Sequence, residues 1–419
     1  MAEPAAASFV RLTRHRSFVL FWCARTFTNG AFMMQGVAVG WQIYELTNDP
    51  FDLGLVGLMQ FIPILVLSVL IGQIADRFDR RLVVGACQIG KALAAFTLAL
   101  GTARGWLTRD AMLAILLLSG TARAFEIPTI HALLPGIVSP RLLPRAIAAS
   151  ASAQQTAVIC GPSIGGLIYT SLGPTAVYAT CTAVFIAAGV LISLVRLAPP
   201  ADAHAAERKP ISWQTVFAGF SYIRSRPILL GAISLDLFAV LLGGVTALLP
   251  IYARDILHAG PAGFGLLRSA PAVGALAISI VLANRSIAGR AGRIMFAAVG
   301  AYGAASFIFG LSTSVVLSFL ALAVYGASDA ISVVIRQSLV QMRTPYDMLG
   351  RVLAVNSMFT GSSGSLGEFR AGTVAAWLGA VPSALIGGAG AIVVMLIWMW
   401  AFPQLRDVDK LGPEAGPAP

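Results

Sequence analysis

Apolar residues run along this chain in stretches of about twenty, separated by short polar turns. Twelve stretches can be read, at about 18–43, 53–75, 82–103, 111–134, 145–170, 174–197, 228–251, 262–283, 294–311, 315–341, 352–378 and 382–402. A helix needs roughly 20 residues to cross a bilayer core. Segments of strand length with alternating polarity, the mark of a membrane barrel, do not occur. The pattern predicts an all-α polytopic membrane protein with twelve transmembrane helices.

The longest polar interval, "RLAPPADAHAAERKPISWQTVFAGFSYIRSRP", divides the spans into six and six. Its Pro/Ala-rich start reads as a linker. Trp213, Val216, Phe217 and Phe220 then share one helical face, as in an amphipathic helix lying on a membrane surface. The predicted organisation is an N-terminal six-helix bundle at 1–198, a cytoplasmic linker at 199–226, a C-terminal six-helix bundle at 227–404 and a cytoplasmic tail at 405–419.

Composition agrees with the pattern. Of 419 residues, 57% are hydrophobic and only 11% charged, where a soluble chain would carry about 25% charged residues. The net charge of +11 invites a nucleic-acid reading, but its distribution decides otherwise. With the N-terminus placed in the cytoplasm, 20 Lys/Arg fall on cytoplasmic segments and three, Arg104, Arg109 and Arg254, on the opposite side. That split follows the positive-inside rule and predicts both termini cytoplasmic. The first hydrophobic stretch is too long for a signal-peptide core. Cys23, Cys87, Cys160 and Cys181 lie in apolar spans without metal-ligand spacing, and the four histidines are scattered.

The halves carry a weak internal repeat. Arg145, Ala148, Gly161 and Gly166 fall on Arg351, Ala354, Gly367 and Gly372 at an offset of 206 residues. Copies separated by six spans share one orientation, as expected of a transporter built from two parallel repeats.

Two motifs carry more. "GQIADRFDRR", between the second and third spans, packs five charges into ten residues. Its arginines satisfy the positive-inside rule, which does not require its aspartates. Gly72 permits close helix approach and Asp76 can cap a helix or accept from an arginine. In the fifth span "GPSIGG" places Gly161, Pro162, Gly165 and Gly166 where small residues permit close packing and a proline permits a bend.

The first motif resembles the G-x-x-x-D-R-x-x-R-R loop of the major facilitator superfamily. The twelve spans, central linker and half-repeat agree with that family. The resemblance implies that Gly72, Asp76, Arg77, Arg80 and Arg81 form a conformational latch. "ANRSIAGRAGR", at the matching place in the second half, keeps arginines but no acid. "GPSIGG" resembles the G-P-x-x-G-G motif of proton-coupled drug exporters, with Ala157 where that pattern often has glycine, and Glu368 stands at the repeat position of Pro162. "ARAFEIPTIHALLPGIVSPRLLPRAIA" and "GASDAISVVIRQSLVQMRTPYDMLGRVLAVNS" resemble the branch that includes bacterial enterobactin (siderophore) exporters. That branch commonly has Arg-Gln late in the fourth helix. Here Ile130-His131 stands there, and Arg336-Gln337 occupies the repeat-related position in the tenth.

Ionisable residues inside spans are costly unless they face a cavity or a partner. Arg123 and Glu126 stand three apart on the fourth span; Asp329 and Arg336 stand seven apart on the tenth, where Arg336 could hold Asp329 ionised or attract an anionic substrate. The family resemblance places Asp236 in a cavity-lining helix. Asp236, Asp329 and Glu126 are the ranked proton-carrier candidates, each with structural pairing as the alternative. Glu368 and Arg370 read as one local pair. The substrate and proton pathway is therefore expected at Asp236, Asp329, Arg336, Glu126, Arg123 and Glu368. Met33, Met34, Met59, Phe61 and Phe238 suit an adaptable apolar pocket or plain packing.

The expected activity is secondary transport: efflux of a small amphipathic molecule, a drug-like compound or siderophore, against proton influx at the inner membrane. The resemblance implies a proton gradient and no cofactor. Expected partners are the small-molecule substrate and membrane lipid, not nucleic acid; oligomeric state stays open, with a monomer admissible. An importer or lipid-handling permease of the same fold is the alternative. A membrane enzyme lacks any HExxH or GxSxG context here, and a receptor lacks a soluble output domain.

Overall fold

A computed structural model of the chain describes residues 15–67, 78–139, 142–196, 213–284 and 289–409. Among these, every regular element is helical. The principal helices are α1 Arg16–Thr47, α2 Pro50–Val66, α3 Arg80–Arg104, α4 Arg109–Leu133, α5 Leu143–Ser193, α6 Trp213–Ser225, α7 Pro227–Gly243, α8 Gly260–Asn284, α9 Ala291–Leu311, α10 Val315–Arg343, α11 Tyr346–Leu378 and α12 Ala380–Ala401. The long α5 holds two spans that meet at Gly173, whose φ of 80° is reserved for glycine and whose successor is Pro174. Counting α5 twice and setting α6 aside gives the twelve expected spans.

Among the described residues, eight helices are long and apolar enough by composition to cross a membrane. At 32 and 33 residues, α1 and α11 have the length but not the apolarity. They carry polar side chains such as Arg25, Gln35, Asn356 and Glu368, and several of the polar contacts described below involve these two helices.

The chain divides into two compact units that follow contacts rather than chain order. The first comprises Met1–Thr47, Met59–Pro210 and Gly260–Ser269; the second comprises Asn48–Leu58, Ile211–Ala259 and Ala270–Pro419. Each therefore includes the start of a helix that continues in the other, α8 in the first case and α2 in the second.

Apolar burial against lipid gains little, so helices in a bilayer associate through close van der Waals packing of small residues. In the second unit Gly303 of α9 and Gly388 of α12 meet reciprocally: a methyl on the first would lie 2.8 Å from the Gly388 carbonyl, and one on the second 2.7 Å from the Gly303 carbonyl. Gly274 of α8 against Ala323 of α10, and Gly326 of α10 against Pro271, repeat this closeness. Larger residues fill the ends. Phe18, Phe21, Val84, Leu133 and Ile192 form one core in the first unit; Leu235, Phe296, Ile335 and Leu339 form one in the second.

The expected surface helix is α6. It lies against α11, with Gly219 at the Arg351 carbonyl and Phe220 tilted on Phe359 at 6.5 Å between ring centres.

The repeat reappears as geometry. Gly161 packs on α1 at Gly30 and Met33, and its partner Gly367 packs on α7 at Val240 and Leu241. Gly166 packs on the start of α8 at Pro261, Ala262 and Gly265; its partner Gly372 packs on the start of α2 at Pro50 and Gly54. Equivalent glycines thus meet equivalent helices. Gly165 adds a contact with the Met34 backbone, and the Pro162 carbonyl abuts Gly265. The GPSIGG stretch is a packing seam. Met33 and Met34 are used in that seam, and the Phe238 ring lies tilted against that of Trp398 at 5.2 Å between centres.

Candidate functional site

Two polar clusters lie inside the apolar helices, one in each unit. In the first, α1, α3, α4 and α5 enclose a cavity of about 100 Å³. Lys91 of α3 forms an ion pair with Glu126 of α4, whose other carboxylate oxygen accepts from Gln88 Nε2 at 2.5 Å. Lys91 and Gln88 are each 1% exposed, so this pair is screened from water. Arg123 shares the cavity with Glu126, as their spacing predicts, but its guanidinium lies over the Phe32 ring at 3.9 Å. Arg25 of α1 donates to Gln154 Oε1 of α5 at 2.8 Å. His131 lines the same cavity.

In the second unit, Arg336 of α10 forms an ion pair with Asp236 of α7 at 3.2 Å. The same guanidinium donates to Asn356 Oδ1 at 2.7 Å and Thr360 Oγ1 at 2.9 Å, both on α11. Arg336 is 1% exposed and Asp236 4%. Arg336 thus pairs with Asp236 and not with Asp329, whose ionisation was one of the two roles open to it in the sequence. Two helical turns separate Asp329 and Arg336 by about 10 Å along α10, whereas Asp236 faces Arg336 from a neighbouring helix. Among the described residues no cation lies within ion-pair distance of Asp329. It borders a small cavity with Asp236, Ser328, Ser332 and Tyr302. The Tyr302 hydroxyl of α9 bonds that of Tyr325 on α10 at 2.8 Å, with the rings stacked at 4.2 Å.

The expected Glu368–Arg370 pair does not form. Residues two apart on a helix point to different sides. Glu368 instead accepts from Thr246 Oγ1 at 3.1 Å, and its side chain fills the space beside Gly57. The guanidinium of Arg370 reaches Gly387 of α12, and its three nitrogens are buried without a hydrogen-bond partner among the described residues.

The charged loop is seen in part. Gly72, Asp76 and Arg77 lie outside the described residues. Asp79 caps α3 by accepting from the Arg81 backbone at 2.9 Å and pairs with its guanidinium at 2.8 Å. That hydrogen bond holds the Asp79 carboxyl below the usual carboxylate range. Arg80 donates to the Ala132 carbonyl at the end of α4, and Arg81 to the Val195 carbonyl just past the end of α5. Both arginines thus satisfy carbonyls at helix C-termini, where cations are favoured.

The sequence alone did not single out Gln88, Gln154, Tyr302, Tyr325, Asn356 or Thr360. The repeat held one signal for them: Gln154 and Thr360 stand 206 residues apart, and each accepts from a buried arginine.

Twelve spans in two related halves, with small residues at the helix contacts and ion pairs inside, define a transporter of the major facilitator fold. Over residues 7–415 the chain matches the transmembrane secretion effector family of that superfamily, and it belongs to that family. It is similar to the enterobactin exporter EntS of Citrobacter koseri, with 28% identity covering 97% of each chain. It also resembles EntS of Escherichia coli strain K12, with 26% identity covering 96% of each. Among solved structures, the nucleoside transporter NupG superposes with a TM-score of 0.70 at 16% identity, covering 92% of this chain and 99% of that one. A D-xylose-proton symporter gives 0.71 at 12%, covering 93% and 98%. These likenesses place the protein among multi-pass membrane transporters rather than enzymes.

Proposed function

We propose that this transporter exports a small amphipathic molecule of the enterobactin type across the inner membrane, driven by protons entering in exchange. The carrying observation is the arrangement in the second unit. Asp236 is neutralised by Arg336, while Asp329 beside it has no cation of its own. A carboxylate in that position can take a proton when the site is open to acid and release it when its surroundings change. Asp329 therefore carries the proton and Asp236 holds Arg336 in place. Full-length similarity to proteins named as exporters supports the outward direction of cargo movement.

Glu126 is committed to Lys91 and Gln88, which favours a structural role for it. The termini lie in the cytoplasm in this reading, supported by the charge split along the chain. The two units alternate access to the cargo, with the loop at 72–81 as the latch that the family resemblance implies.

Enterobactin efflux tests the reading. Cells lacking their own enterobactin exporter are given this gene, and secreted enterobactin is measured with and without a protonophore. The expected result is secretion restored and then abolished by the protonophore. Unrestored secretion would reject the cargo class; secretion indifferent to the protonophore would reject proton coupling.

A further inference from the structure

The cavity of the first unit has a charge imbalance that the ion pairs do not settle. It is bordered by three basic side chains, Arg25, Lys91 and Arg123, and one carboxylate, Glu126. Lys91 and Gln88 already occupy both oxygens of that carboxylate. Arg25 donates only to the neutral Gln154, and Arg123 rests on the Phe32 ring. Among the described residues no carboxylate lies within ion-pair distance of either guanidinium. Two cations, one on α1 and one on α4, thus face about 100 Å³ of space whose single carboxylate is already held by Lys91 and Gln88.

Buried charge of that kind is retained where something supplies the opposite charge. A guanidinium presents its donors as a planar fork that matches a two-oxygen anion. Phe32 keeps the Arg123 plane fixed and offers apolar surface beside it, while Asn29 and His131 add polar edges to the same wall.

We infer that this cavity is the cargo-recognition subsite for an anionic oxygen group attached to an aromatic ring, with Arg123 and Arg25 as its anchors. The inference rests on the transport reading above and names the charge of the cargo. Arg25 reaches the anion after turning from Gln154, and Arg123 meets it without leaving Phe32. Glu126, one turn from Arg123 on α4, is held by Lys91 and Gln88. A neutral or cationic amphiphile of the same size gains nothing from the two guanidiniums and leaves them without a counter-charge.

Binding of 2-naphthoate, 2-naphthamide and 2-naphthylmethylammonium to the full chain in lipid nanodiscs, followed by probe fluorescence, tests this. The acid is expected to bind at least tenfold tighter than the amide, and the cation weakest. Arg123→Gln and Arg25→Gln are each expected to reduce the preference severalfold, and the double variant to erase it. Arg123→Lys, which keeps charge without the fork, is expected to retain part of it. Exposed Arg104→Gln is expected to change nothing. Absent naphthoate binding, equal affinity for acid and amide, or a preference surviving in the folded double variant would overturn the inference. The assay uses no gradient, so the two readings fail separately. An acid preference without proton-linked secretion would sink the coupling alone; proton-linked secretion without an acid preference would sink this site alone.

Discussion

In the first unit an arginine on α1 reaches Gln154 of α5; in the second an arginine on α10 reaches Thr360 of α11. Gln154 and Thr360 occupy the same place in the repeat, so the acceptor position has been kept while the cation moved to a different helix. Charge balance differs as well. The first cavity sets three cations against one carboxylate, already paired. The second cluster brings together Asp236, Asp329 and Arg336, leaving one carboxylate without a cation. In the proposed reading, the surplus of cations serves an anionic cargo and the surplus carboxylate a proton.

The largest effect that would break this comparison is expected in the second unit. Arg336→Leu leaves Asp236 charged and buried and removes the donor to Asn356 and Thr360. Losing one partner of a buried pair costs about 3–5 kcal/mol, which should appear as a markedly lower midpoint in thermal unfolding of the detergent-solubilised protein. In the first unit Glu126→Gln should be nearly as damaging, because Lys91 then has no carboxylate. Adding Lys91→Met should recover about 1–3 kcal/mol, the coupling typical of groups in contact. A double variant no better than the singles would deny the pair.

Packing offers a sharper test of likeness between the halves. Gly166→Val and Gly372→Val insert side chains against Pro261 and Pro50 respectively, and overpacking costs about 1–3 kcal/mol. The two losses should match within error; strongly unequal midpoints would mean that the repeat contacts are not equivalent. The smallest effect belongs to the loop. Asp79→Ala removes a cap and an exposed ion pair, about 0.5–1 kcal/mol. The Asp79 carboxyl is depressed in the fold, so its contribution is present at neutral pH and fades as pH falls through that depressed value. Unfolding midpoints of the wild type and Asp79→Ala should therefore converge in acid.

Much of this was legible beforehand, for physical reasons. Spans follow from apolar length, and the packing role of Gly161 and Gly166 from the absence of a side chain. The spacing of Arg123 and Glu126 placed both on one cavity because that contact lies within one helix turn. Ion partners were harder, since Asp236 and Arg336 are 100 residues apart and meet only through the rotation of α7 against α10. The local reading of Glu368 with Arg370 failed because adjacency in sequence is not adjacency on a helix face. Nothing in the sequence marks Tyr302 or Tyr325, since their hydroxyls meet only where α9 packs on α10.

Proton movement in proteoliposomes bears most directly on the central claim. The protein is reconstituted with a trapped pH-sensitive dye, enterobactin is added on one side, and wild type is compared with Asp329→Asn. The account predicts cargo-dependent proton flux in the wild type and none in Asp329→Asn, with the variant folded and inserted normally. Undiminished flux in Asp329→Asn would contradict it.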